Sequence, residues 1–399
     1  VQALAALGAV EWIMWMTLGV STGVTQGFSI LISQHYGAKK WNDLKKTVAH
    51  SYLLTAVTAI LLLLISQLAA RWLLVLLNTP DNIIGMSLIY LRIVFCGIPI
   101  VAAYNIFASV LRALGNSRTP LIAMIIAAFI NVVLDLVFVA GFNWSVAGAA
   151  LATVIAQAFS AFYCFLIVRK IEIVHTDRDD FAKVPGLNRK LFGLGAPILF
   201  QNVIISVGGL AVQFVINGYG FLFVAGFTAT NKLYGVLEMA AISYGYAVVS
   251  YVGQNLGAGE ITRIKKGVHA SSFLAFLTSA FISIVMFLFG KILLSMFISD
   301  DSTQAEQVLD IAWHYLFIMA SCLCILYFLY VYRSALQGLG NTMIPMLSGV
   351  MEFFVRVGVA LLLPKFIGQN GIFYAEIAAW TGATVLLVVS YYISIRKFM

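Results

Sequence analysis

Apolar runs long enough to cross a bilayer, broken by short clusters of charge, glycine, proline and asparagine, recur along the whole chain. A helix needs roughly 20 predominantly apolar residues to traverse about 30 Å of hydrocarbon. Cutting the chain at its polar clusters predicts eleven such helices, over approximately 9–33, 48–75, 83–111, 119–141, 146–168, 190–218, 222–252, 268–298, 308–336, 344–365 and 372–394. Membrane β-strands would be short and alternating, and a run such as Leu121 to Ala140 does not alternate. The expected fold class is an all-α integral membrane protein.

Composition narrows this further. Of 399 residues 62% are hydrophobic and 10% charged, and the mean hydropathy is +0.98. Soluble domains carry about 25% charge, and disordered chains combine low hydrophobicity with high net charge, so both classes are excluded. The net charge of +8 orients the chain rather than binding nucleic acid. Lys39, Lys40, Lys45 and Lys46 alternate with Asp81, then Arg112 and Arg118 with the uncharged 142–145 loop, and Arg263, Lys265 and Lys266 with Asp300, Asp301 and Glu306. By the positive-inside rule the Lys/Arg loops and the C-terminus are cytoplasmic, and Val1 lies outside. The expected location is a bacterial cytoplasmic membrane. Cys96, Cys164, Cys322 and Cys324 sit in apolar runs with no zinc or disulfide spacing.

The chain repeats itself. Shifted by 220, Gln34, Gly37, Ala38, Lys45, Lys46, Val48 and Ser51 fall on Gln254, Gly257, Ala258, Lys265, Lys266, Val268 and Ser271. Shifted by 225, Ser109, Leu111, Leu114, Gly115, Asn116 and Pro120 fall on Ser334, Leu336, Leu339, Gly340, Asn341 and Pro345. The motifs lie on one side in both copies, which predicts parallel repeats about an axis along the membrane normal. The first shift pairs Phe221 with Val1 and leaves 190–220 without a counterpart. A further helix is therefore expected before Val1, giving two six-helix lobes with eleven helices of twelve in this chain. The expected domains are 1–170, a cytoplasmic linker over 171–189, and 190–399.

The repeated Gln-x-x-Gly-Ala segments with their basic pairs, the turn from Leu111 to Pro120, and the run Asn131 to Asp135 followed by Val146 to Gln157 resemble the multidrug and toxic compound extrusion (MATE) family, most closely its DinF-like branch. The likeness covers nearly the whole chain and recurs in both lobes. It implies a two-lobed secondary exporter of organic cations and other amphipathic compounds, driven by inward proton or sodium flow and acting as a monomer. It also implies a coupling site in which a first-helix Asp works with Asn131, Asp135 and Thr153; the first-helix acid has no residue here to receive it. A sodium ion would take its oxygens from those three side chains.

The residues themselves bear on this. Asn131 and Asp135 are four apart and share a helix face in an apolar span, and a mid-membrane carboxyl faces protein or a wet cavity. Thr153 alone could bond back to a carbonyl one turn earlier. Glu352 and Arg356, again four apart, can neutralise each other or line a cavity. Glu238 has no evident partner and is a cavity candidate. Gln201 and Asn202, just after Pro197, can line a cavity or join helices. Glu11 and Glu376 read as interfacial, as do Trp12, Trp72, Trp144, Trp313 and Trp380. Gln34 and Gln254, at the cytoplasmic ends, read as caps or lobe contacts.

Asp177, Asp179 and Asp180 read as a solvated loop face, the five histidines lack ligand spacing, and no nucleotide motif is present. The chain is thus expected to be no enzyme, to need no cofactor, and to use neither ATP nor nucleic acid. Two rivals remain. One is a lipid-linked oligosaccharide or peptidoglycan-precursor flippase, which a basic inner cavity would favour. The other is a membrane-embedded transferase, which needs a second cluster of acids or histidines.

Overall fold

A computed structural model describes residues 2–76, 79, 81–298 and 304–398. Asp300 and Asp301 lie outside the described residues, as do the side chains of Glu11 and Trp12. Among the described residues there is no strand. The helices are α1 (Gln2–Gly37), α2 (Trp41–Leu76), α3 (Asp81–Cys96), α4 (Ile98–Ala113), α5 (Arg118–Asp135), α6 (Ser145–Arg169), α7 (Leu187–Asn217), α8 (Phe221–Gly257), α9 (Ile261–Ser295), α10 (Ala305–Ser321), α11 (Leu323–Gly338), α12 (Met343–Leu362), α13 (Pro364–Ile367) and α14 (Tyr374–Arg396).

Among the described residues eight helical segments are long and apolar enough to span a membrane, and α3 with α4 and α10 with α11 form two bent pairs that raise the number to ten. With α1, they occupy the places of the spans read from the sequence. The bends are 44° and 50°. They fall at Gly97 and Cys322, positions related by the shift of 225. At the first, Pro99 lacks the N–H that would reach Phe95 one turn back. At both, the chain closes with a tighter three-residue bond, Gly97 N–H to Val94 O at 2.9 Å and Cys322 N–H to Met319 O at 3.2 Å.

The repeated motifs prove to be helix stops. Gly115 and Gly340 adopt φ of 89° and 83°. Asn116 N–H bonds back to Leu111 O at 2.8 Å, and Asn341 N–H to Leu336 O at 3.0 Å. These are the six-to-one bonds of a Schellman cap, whose left-handed residue glycine supplies at no steric cost. The asparagine side chain then starts the next helix: Asn116 Oδ1 accepts from Thr119 N–H at 3.1 Å, and Asn341 Oδ1 from Ile344 N–H at 3.3 Å.

Two compact units result, Val1–Val203 and Ile204–Met399, so the division falls within α7. In the first unit the amino-terminal half of α7 lies on α1. A Cβ on Gly27 would come within 2.3 Å of Gly195 Cα, and one on Gly23 within 2.8 Å of Leu199 Cα, so the two backbones touch. Gly19, Gly23 and Gly27 recur every four residues on one face of α1, and small residues there permit such an approach. The 171–189 segment is docked rather than loose. Its short turns pack on α2, where buried His50 meets Asn188 Oδ1 at 2.7 Å and Ala182 O at 3.1 Å. The Asp177 and Asp180 pair forms a capping box within it.

In the second unit, stacked rings fill the core: Phe227 on Tyr315 at 4.5 Å, Tyr315 on Phe373 at 4.9 Å and Phe223 on Phe373 at 5.3 Å. Trp380 belongs to this core. It is 2% exposed and stacks on Tyr234, so it is no interfacial anchor. The outer faces are apolar in both units, with Leu68, Phe129, Phe214 and Phe281 all exposed, as hydrocarbon contact requires.

Candidate functional site

In the first unit, α5 buries Thr119, Ala123 and Ala127. Asn131 and Asp135 continue that four-residue stripe and so face the side that packs on α6, where Ser160 Oγ donates to Ala123 O at 3.3 Å. Both residues are half-buried. Asn131 Nδ2 and Asp135 Oδ1 are enclosed and make no hydrogen bond. A buried polar atom without a partner costs about 1–3 kcal/mol, which marks a place where the fold leaves room for something else to bind.

Two features single out Asp135 further. It is the last α-helical residue of α5, and Leu136–Gly141 continues as a π-helical turn, a widened geometry found mostly at functional sites. Tyr90 of α3, nearly buried, lies close enough for electrostatic interaction with Asp135. Thr153 does not join them through a hydrogen bond. Its hydroxyl donates to Ala149 O at 3.0 Å, the local bond that β-hydroxyl residues form in helices.

The core of this unit is split into two clusters, one around Phe95 and Ile98 and one around Ile32, Leu44 and Leu111. Ser21, Thr25, Thr55 and Thr58 border a cavity of about 10 Å³, close to the room one water takes. Thr55 Oγ1 has no partner, and Asn105 Nδ2 reaches Ser21 Oγ at 3.4 Å. Hydroxyls scattered among alanines and leucines carry no sequence signal of such a layer.

Gln201 and Asn202 fall in the first unit rather than with the candidates of the second. Asn202 Nδ2 donates to Gly19 O at 2.9 Å, so it joins helices. Gln201 is 2% exposed with Oε1 unpaired.

The second unit holds a chain of buried ions. Arg333 of α11 pairs with Glu352 Oε1. Arg356 Nη2 lies 3.9 Å from Glu352 Oε2 and 2.8 Å from Glu376 Oε2, and Arg356 Nη1 reaches Ile205 O at 3.4 Å. The expected Glu352–Arg356 pair is thus the loosest link of four residues, and each ion has a closer partner on another helix. Glu376 is mostly buried, not interfacial, because Arg356 draws it in.

Glu238 of α8 accepts from the Tyr330 hydroxyl at 2.9 Å, with the Tyr234 ring close by. Three acids, Glu238, Glu352 and Glu376, therefore stand with two bases, and among the described residues Glu238 is the one of these acids without an ion pair. Sequence reasoning overlooked Arg333 and Tyr330. The signal was a guanidinium in the otherwise uncharged stretch from Ala312 to Gly340.

Among the described residues no cluster of three or more His, Cys, Asp or Glu could hold a metal ion. A monovalent cation needs no such cluster, since neutral oxygens suffice.

The family model MatE matches residues 1–137 and 197–362. The probable multidrug resistance protein YpnP of Bacillus subtilis is 30% identical over 382 residues, which cover 93% of this chain and 82% of YpnP. The probable multidrug resistance protein YoeA of the same organism is 27% identical over 406 residues, covering 98% of this chain and 86% of YoeA. Solved structures share the fold, two of them as follows. A mutant of the Vibrio cholerae MATE transporter VcmN superposes with a TM-score of 0.92 at 21% identity, over 100% of this chain and 90% of that one. A MOP superfamily transporter from Pyrococcus furiosus, whose reversed binding-pocket polarity is said to suggest a different function, gives 0.93 at 18% identity, over 100% and 89%.

Proposed function

The chain belongs to the MatE family, and from that membership we propose that it is a secondary active exporter of amphipathic and cationic compounds, driven by inward proton or sodium flow. The names of its relatives YpnP and YoeA, both probable multidrug resistance proteins, support the substrate class.

The observation that carries the coupling role is the Asp135 carboxyl. It lies in an apolar helix on the protein-facing stripe, with Oδ1 enclosed and unpaired beside an unpaired Asn131 amide. Such a carboxyl is stabilised by taking up a proton or a cation. Asn131 and Asp135 would supply oxygens to sodium, with Thr153 able to join if its hydroxyl turns from Ala149. Cation uptake at Asp135 and drug binding favour opposite states of an alternating cycle. Each shifts the balance only by its differential affinity for the two states.

The acid excess among the buried groups of the second unit, Glu238, Glu352 and Glu376 against Arg333 and Arg356, supports a cationic substrate over the pyrophosphate of a flippase. Glu238 is the group proposed to meet that charge.

The test is efflux of a fluorescent cationic dye from cells expressing the protein or its Asp135→Asn variant, with proton and sodium gradients collapsed separately. Loss of gradient-dependent efflux in the variant at equal membrane abundance is expected. Undiminished efflux removes Asp135 from the coupling role.

A further inference from the structure

A second, separate feature lies at the basic end of the second unit, where the start of α9 meets the end of α14. Lys265, His269, Tyr391, Tyr392, Ile395 and Arg396 enclose a cavity of about 330 Å³. No acid lines it, and Glu260, the nearest in sequence, precedes α9. Arg396 forms no ion pair among the described residues.

An independent observation points to a ligand. Tyr391 is 1% exposed, lines the cavity, and its hydroxyl has no hydrogen-bond partner. A buried phenol rarely forgoes a partner. Tyr391 lines the same cavity as two cationic side chains and a histidine, a set that matches the oxygens of a phosphate.

The walls below the cavity indicate where the rest of the ligand lies. Phe273, Leu277 and Phe281 follow His269 at four-residue steps on one face of α9, and all are exposed. Val385 and Val389 on α14, and Ile393 beside Tyr392, are exposed as well. A polar, basic recess thus opens above bare apolar helix faces at the level where the spans end.

We propose that this cavity binds the phosphate of an anionic phospholipid headgroup, whose acyl chains lie along the exposed apolar faces of α9 and α14. Lys265 and Arg396 supply charge, and the Tyr391 hydroxyl donates to a phosphate oxygen. Basic recesses at the ends of membrane helices recognise anionic lipids in this way, each Lys or Arg contributing about a fivefold preference and the pair roughly 30-fold.

The test is native mass spectrometry of the full chain in detergent, titrated with short-chain phosphatidylglycerol, with phosphatidylcholine of equal chain length, and with inorganic phosphate. The wild type is expected to retain phosphatidylglycerol over phosphatidylcholine by at least tenfold. The Lys265→Gln/Arg396→Gln variant should lose that preference, and a Lys39→Gln/Lys40→Gln variant should keep it. Tyr391→Phe, which preserves the packed ring, gives an intermediate loss and serves if the double variant fails to fold. Equal retention of the two lipids, or an unchanged preference in both cavity variants, overturns the proposal. Binding of millimolar inorganic phosphate that displaces the lipid assigns the site to a free anion and overturns the lipid assignment.

Discussion

Arg356 and Glu376 meet across α12 and α14, the guanidinium Nη2 lying 2.8 Å from the carboxylate Oε2. Arg356 is 5% exposed and its other carboxylate neighbour is 3.9 Å away. Removing one partner of a buried pair leaves the other ion uncompensated and costs about 3–5 kcal/mol, whereas apolar replacement of both can be nearly neutral. Glu376→Ala is therefore expected to lower the thermal unfolding midpoint of the detergent-solubilised protein substantially, and Arg356→Met/Glu376→Leu to recover most of the loss. A single variant as stable as the wild type would show that the pair does not hold α12 to α14.

The crossing of α1 and α7 makes a sharper demand, because backbone cannot yield as a flexible side chain can. A Cβ on Gly27 would lie 2.3 Å from Gly195 Cα. Overpacking of this kind costs typically 1–3 kcal/mol. Gly27→Ala should destabilise the protein by about that amount. Gly85→Ala on α3, where nothing lies within 4 Å of the new methyl, should be neutral or mildly stabilising, since alanine favours a helix interior by roughly 1 kcal/mol. Equal unfolding midpoints for the two variants would contradict the close crossing.

Those two relationships mark where the sequence speaks and where it falls silent. The spans were legible because each helix must hide its backbone from hydrocarbon and so carries a long apolar run. The lobes were legible because the turns at Asn116 and Asn341 use the same capping chemistry. Glu352 and Arg356 stood out by four-residue spacing, but their closer partners, Arg333 and Glu376, come from other helices, and a linear pattern does not encode that pairing. The same holds for α7. A polar segment at 171–189 suggested the natural division of the chain, while the glycine-to-glycine approach that ties the start of α7 to α1 depends on which helix faces meet.

His35 gives a pH dependence at the end of α1. Its Nδ1 lies 2.9 Å from Thr47 Oγ1, and it borders a recess with Asp43, Lys46 and Lys190. Burial lowers its pKa below the usual 6.5, an effect that Lys190 and Lys40 reinforce and Asp43 opposes. The folded protein thus prefers neutral His35. Its contribution is fully present above the unfolded-state pKa and is lost as pH falls from about 6.5 toward the folded value. Thermal unfolding of the wild type at pH 7.5 and 5.5 should show a drop at the lower pH that His35→Gln reduces. An identical pH response in the variant would assign the drop to other groups.

The two lobes finally offer a comparison within one molecule. Lys39 and Gly259 occupy equivalent left-handed positions, with φ of 56° and 75°. Each closes the same cap, Lys40 N–H bonding to His35 O at 3.1 Å and Glu260 N–H to Asn255 O at 2.9 Å. A side chain in this conformation costs roughly 1–2 kcal/mol, and nothing lies within 4 Å of a Cβ on Gly259, so backbone strain is the whole penalty there. Lys39→Gly relieves the strain but frees the unfolded chain, for a net gain of up to about 1 kcal/mol. Gly259→Lys incurs that strain while restricting the unfolded chain, and should lower stability by up to about 1 kcal/mol. Unfolding midpoints measured side by side should therefore move in opposite directions. Movement of both in the same direction would mean that the cap, although repeated in geometry, does not bear equally on the stability of the two lobes.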